Sequence, residues 1–336
     1  MTYGAVEQLA LVETYVGTDG LTRVRDSFRF TPSFGAVYYD SVDLGFPEVR
    51  GSSQENPGAD GTYDETRYTG ARSVAISGKV IQNAFRDAPA RYGWDPQIGW
   101  NSASWFIRYL SAWAYPARRS RLYFTDDSGA PKFLDVRGDS FTAPIDKASA
   151  NVRDWQMGFI NPSGKVYSLA TGEGATADGR FRTLIRQSSI DLPGRIYPEP
   201  APYVRNYPTL PIGGTAVQYR GSVPNGFIAN VYTASRAMTD PRLTVTAPDG
   251  SIQSIGISGY SVPANSVITF DTTERTINTS LGDSLDQFKT APLQWPQLRP
   301  GFSPGQTPGR NGITLTVTAS APDAYVEVLW FDADLA

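Results

Sequence analysis

Two residue types are missing from this 336-residue chain, histidine and cysteine. Without them there is no imidazole base, no Ser-His dyad, no thiolate nucleophile, no disulfide and no sulfur- or imidazole-ligated metal. Any bond-making falls to carboxylates, Lys and Tyr; most glycosidases work without His or Cys, through a pair of carboxylates. The motifs that remain fail on mechanism. Gly301-Phe302-Ser303-Pro304-Gly305 has the G-x-S-x-G spacing of a nucleophile elbow. The residue after the serine must lend its N–H to the oxyanion, and Pro304 has none. Gly172-Glu173-Gly174-Ala175-Thr176-Ala177 resembles a dinucleotide fingerprint, but Asp178-Gly179 follows at once and no βαβ alternation surrounds it. Asp126-Asp127 before Ser128-Gly129 is turn chemistry. It lacks the alternating oxygen ligands and distal Glu of a calcium loop. The 33 acidic residues offer many carboxylate pairs, yet no two stand out in the apolar surroundings that raise one pKa. The expectation is a protein with no catalytic residues, no metal and no cofactor.

Candidates for binding are easier to find. Arg118, Arg119 and Arg121 form the densest basic run; a solvated face, or pairing with a neighbouring subunit's carboxylates, explains it better than a phosphate backbone does. Residues 50–68 are polar and aperiodic, and loops of that length carry interactions. Gln54, Asn56, Asp60, Tyr63 and Arg67 in that stretch, with the three arginines, are the expected subunit-interface residues. Trp295, in Leu293-Gln294-Trp295-Pro296, is either a loop anchor under a sheet edge or a platform for a sugar ring. Lys+Arg total 30 against 33 acidic residues, a net charge of -3. Charge so balanced gives no general pull toward nucleic acid or anionic lipid. The first residues, MTYGAVEQLALVETYVG, lack a basic start and carry Glu7 and Glu13, so neither a signal peptide nor a membrane anchor is expected there.

The elements that would hold these residues are mostly strands. Gly 32 and Pro 25, beside Tyr 18, Phe 16 and Trp 7, suggest many short strands joined by turns. Val74, Ile76 and Val80 share one face at period two, with Gly78 in register as a candidate bulge. Leu122/Phe124 and Leu134/Val136 form the arms of a hairpin around Asp126-Gly129. Trp155, Met157 and Phe159 mark another strand. One helix is expected, capped by Asn101 or Ser102 and stopped by Pro116. Its Trp105, Phe106, Tyr109, Leu110 and Trp113 fall on one face and read as core. Six prolines between Pro193 and Pro211 define an extended spacer. The expected organisation is a first domain over 1–192, a Pro-rich linker over 193–212 and a second domain over 213–336. In the second, Leu243/Val245, Ile252/Ile255/Ile257, Val267–Phe270, Ile313/Leu315/Val317 and Val326/Val328/Trp330 alternate as in an antiparallel sandwich.

Several stretches, taken together, resemble a known family. Residues 43–50 (DLGFPEVR), 57–62 (PGADGT) and 66–72 (TRYTGAR) are similar to the N-terminal domain of distal tail proteins. These are minor tail proteins of long-tailed siphophages, especially those of actinobacteria. Ile268-Thr269-Phe270-Asp271 with Arg275-Thr276, Trp295 to Gly301, and Gly312-Ile313-Thr314-Leu315 resemble the family's C-terminal domain. The resemblance implies a mainly β chain: a tail-tube-like β-barrel with one helix, then a galectin-like β-sandwich. It further implies a six-membered ring in the virion, made in the host cytoplasm, with tail-tube and tip-hub proteins as partners and DNA crossing the lumen. The rival reading is a lectin-like host-recognition protein whose partner is a cell-surface glycan.

Overall fold

The computed structural model describes residues 9–16, 22–30, 37–50, 53–55, 62–64, 68–81, 103–126, 128–144, 152–171, 175–186, 210–233, 237–280, 282–290, 295–301, 309–317 and 324–335. The chain forms two compact units, one made of Met1–Ser168 with Leu335–Ala336, the other of Leu169–Asp334.

The first unit begins with strands β1 (Leu9–Val16), β2 (Thr22–Phe30) and β3 (Val37–Asp43). Two short ribbons follow, from β4 (Val49–Arg50), β5 (Ser53–Glu55), β6 (Thr62–Asp64) and β7 (Tyr68–Thr69). Then come β8 (Arg72–Ile81), helix α1 (Ala103–Trp113), β9 (Arg119–Thr125), β10 (Pro131–Thr142), β11 (Val152–Asn161) and β12 (Val166–Ser168). The main sheet runs β2-β1-β9-β10-β11-β8-β3, and β12 adds to β10. Each neighbouring pair along that path is antiparallel.

The alternation read from the sequence is the burial pattern of these strands. Val74, Ile76 and Val80 are buried, as are Leu122, Leu134, Val136, Trp155, Met157 and Phe159. Phe106, Leu110 and Trp113 of α1 join them in one apolar cluster with Phe28 and Phe30. Tyr109 packs at its margin; the Trp105 side chain lies outside the description. Closeness of helix and sheet depends on Gly138 of β10, where a Cβ would overlap the carbonyl of Ala114. The β9–β10 hairpin turns at Asp126, whose carboxylate accepts from the Ser128 and Ala130 amides, each at 2.9 Å.

Two expectations need correction here. The sheet is not a closed barrel: β2 and β3 are its edges, and no ladder joins them among the described residues. The helix supplies the physical reason. Its aromatic stripe covers the apolar face, so the sheet need not curl on itself to bury it. The bulge sits in β3, between Tyr39 and Ser41, rather than at Gly78. Gly78 stays in register, opposite Tyr39 on one side and Trp155 on the other.

The second unit contains β13 (Phe181–Arg186), β14 (Leu210–Tyr219), β15 (Phe227–Tyr232), β16 (Met238–Thr239), β17 (Arg242–Thr246), β18 (Ile252–Gly256), β19 (Ser261–Val262), β20 (Val267–Asp271), β21 (Thr276–Thr279), β22 (Gly309–Val317) and β23 (Tyr325–Trp330). One sheet runs β13-β23-β15-β20-β21 and another β14-β22-β17-β18. Residues from both, among them Phe227, Val231, Leu243, Phe270, Leu315 and Val328, form a single core. Ile255 and Ile257 are buried, but Ile252 is 69% exposed at the edge strand's start.

The units divide before the prolines, at Ser168/Leu169. β13, which the sequence places in the first domain, pairs along its length with β23 of the second unit. Residues 193–209 of the expected spacer lie outside the described residues. Leu210, Pro211 and Ile212, its last three, stand in β14 and pair with β22. Among the described residues β14 has β22 on one side alone, and an edge strand tolerates a proline whose missing N–H faces away from the ladder.

Candidate interaction surfaces

The three arginines of the basic run have three different settings. Arg118 follows the end of α1, where helix carbonyls favour a cation. Its guanidinium lies 2.9 Å from Glu13 and 2.7 Å from Asp26 and 3.5 Å from the centre of the Trp113 ring. Arg25 extends the network to Glu13 at 3.4 Å. Glu13, Arg25, Asp26 and Arg118, with Ser111 and Tyr115, line an open cleft of about 740 Å3. Arg121 pairs with Asp135 at 3.0 Å and lies over the Phe133 ring. Both are thus used within the subunit, Arg118 on carboxylates far away in sequence and Arg121 across the β9–β10 hairpin. Arg119 is exposed and stands directly opposite Arg137 in the β9–β10 ladder.

The polar stretch after β3 is a ribbon. β4 pairs with β7, and β5 with β6, which sets Gln54 opposite Tyr63. Asn56, Asp60 and Arg67 lie outside the described residues. Phe46, at the ribbon's base, is 82% exposed. Its backbone is nevertheless pinned. Gly45 has φ +55° and donates to Asp43 Oδ1 at 2.8 Å, and the Glu48 amide donates to Ala71 O at 3.1 Å. A large aromatic held out on a fixed turn is suited to contact with another surface.

A second cleft, of about 760 Å3, was not foreseen from the sequence. Asp40, Ser77, Phe141, Asp154, Trp155 and Gln156 contribute to it. Asp40 is the residue extruded by the β3 bulge, and bulge positions are not visible in a polar edge strand's sequence. Trp155 is 2% exposed, and among the described residues its Nε1 has no hydrogen-bond partner.

Trp295 is half-buried against the second unit's core, with Lys289 Nζ 5.0 Å from its ring centre. The carboxyl raised most clearly is Asp332, pushed up to about 6 by burial. It is 4% exposed and accepts from the Arg220 amide at 3.1 Å and Trp330 Nε1 at 3.2 Å, which is a structural setting rather than that of an acid facing substrate. Among the described residues no three acidic groups gather as metal ligands, and no helix is long and apolar enough to cross a membrane. Residues 172–174 and 302–308, which carry the glycine and serine motifs, lie outside the description.

No family model matches the sequence, and no curated protein does. Solved structures do. The chain is similar to the Dit protein of phage SPP1, described as a paradigm of the hub adsorption apparatus in phages infecting Gram-positive bacteria. The TM-score is 0.54 and the identity 14%, over 97% of this chain and 98% of that one. A chain of the phage p2 baseplate in its activated conformation matches with a TM-score of 0.47 and 12% identity, over 96% and 97% of the two chains. The fold is therefore of the Dit type, from end to end.

Proposed function

We propose that this chain is a structural protein of a long-tailed phage, a distal tail component that joins the tail tube to the tip. The observation that carries the reading is the end-to-end fold likeness to SPP1 Dit, which spans both units. Three features add to it. The sequence stretches 43–50, 57–62 and 66–72 resemble distal tail proteins, and favour a phage of actinobacteria. Among the described residues the first unit's sheet has two edges, β2 and β3, without a further strand, and such edges invite association with identical neighbours. The missing His and Cys narrow the chemistry open to the chain, which suits a protein that acts by shape and association. On this reading copies close into a ring, six by family resemblance, through which DNA passes on its way out. The second unit is the galectin-like part, and the partners are the tube and tip proteins.

The test is mass and shape in solution. Size exclusion with light scattering should give a closed oligomer of about six chains, and negative stain should show rings with a central opening. A strict monomer at every concentration would rule the ring out.

A further inference from the structure

The first unit's sheet carries unpaired charge of opposite sign in two places. Arg119 and Arg137 face each other across β9 and β10. Both are exposed and neither has an ion pair among the described residues. Like charges directly opposite in a ladder repel, so this pair calls for a counter-charge. Asp139, two residues along, is exposed and makes no ion pair with it.

The second place is the Asp40–Asp154 cleft. Neither carboxylate has a described partner. Lys79 stands opposite Asp154 in the β8–β11 ladder without an ion pair to it.

The two places cannot serve each other within one copy. Arg137 pairs across the ladder with Ile160, six residues along β11 from Asp154. At about 3.3 Å per residue that is roughly 20 Å, well beyond the screening length of about 8 Å at physiological salt.

We propose that the Arg119–Arg137 pair of one copy docks on the Asp40–Asp154 cleft of the next. Two different patches meet, and each copy offers one of each; where each interface uses one patch from each copy, the contact is head-to-tail and repetition generates a ring or a filament. This assigns residues to the ring reading above and rests on it.

Charge exchange tests it, by sedimentation velocity at about 0.05 M and about 0.5 M salt. The variants are Arg119→Glu/Arg137→Glu, Asp40→Lys/Asp154→Lys, and all four together, each checked for native circular dichroism. Each double variant should weaken self-association at least about tenfold, because like charges then meet. The quadruple variant should restore it, which loss of a merely structural residue would not do. Wild-type association should weaken at the higher salt. A wild-type oligomer indifferent to both double variants, or lost in both and not regained in the quadruple, overturns this contact while leaving the ring. A wild-type chain that never associates overturns both.

Discussion

Asp332 shows how little a single side chain's chemistry reveals until its surroundings are known. In the sequence it is one of 33 acids. In the fold it is buried beside Trp330 and the turn after β14, and its carboxyl is held up near 6 by desolvation, with Asp334 adding to the effect. The sign follows from the proton count. The folded chain keeps this proton up to about pH 6, whereas the unfolded chain loses it near pH 3.8. The stability tied to it is therefore fully present below about pH 4 and is lost as pH rises through about 6. Asp332→Asn keeps an oxygen acceptor for the Arg220 amide and Trp330 Nε1 but cannot ionise. Between pH 4 and 7 the variant should gain on wild type by on the order of 3 kcal/mol, read from urea midpoints. Parallel curves across that range would show that Asp332 is ionised throughout. Asp126 has the opposite sense. Ser128, the Ala130 amide and Lys132 hold it down to about 2, so its share of hairpin stability is lost only as pH falls from about 4 through about 2.

At the scale of elements, the ribbon of residues 49–69 stands apart in kind. Among the described residues its strands pair with one another and with no strand of the main sheet. A two-stranded ribbon by itself is marginal in water, and on the reading proposed above another copy supports it. Deleting residues 51–68 should leave the main sheet intact, because β3 and β8 pair directly. The expected product is a folded chain with native circular dichroism that no longer forms the oligomer in light scattering. Rings of unchanged mass from the deletion variant would remove the ribbon from the interface. Gln54 and Tyr63 are placed opposite each other here, and the alternation rules do not yield that pairing, since neither flanking strand has an apolar face to fix its register.

For the molecule as a whole, the division into two units is the consequential result, because it moves a strand across the expected boundary. β13 completes the sheet that holds the second core, covering one side of β23. β14 begins at Leu210, inside the Pro-rich stretch. A fragment of residues 169–336 should therefore unfold cooperatively on heating. One of residues 213–336 lacks β13 and the start of β14, exposes the β23 edge, and should be several degrees less stable or aggregate. Equal melting temperatures for the two fragments would mean that β13 is not integral to this unit.

What was legible in the sequence was local and periodic. Val74, Ile76 and Val80, the Leu122–Val136 hairpin and the stripe from Phe106 to Trp113 could be read because side chains alternate in strands and recur every 3.6 residues in helices. The absence of imidazole and thiol chemistry was equally plain, being a matter of counting. Non-local facts were not legible. Arg118, Arg119 and Arg121 are near neighbours in the chain, yet Glu13 and Asp26 claim the first, Asp135 the third, and only Arg119 is left to face Arg137. The same holds for the open sheet, for β13 and for the cleft at Asp40. Strand pairing joins residues tens to hundreds of positions apart, and which charges remain unmatched is decided only when those pairings are made.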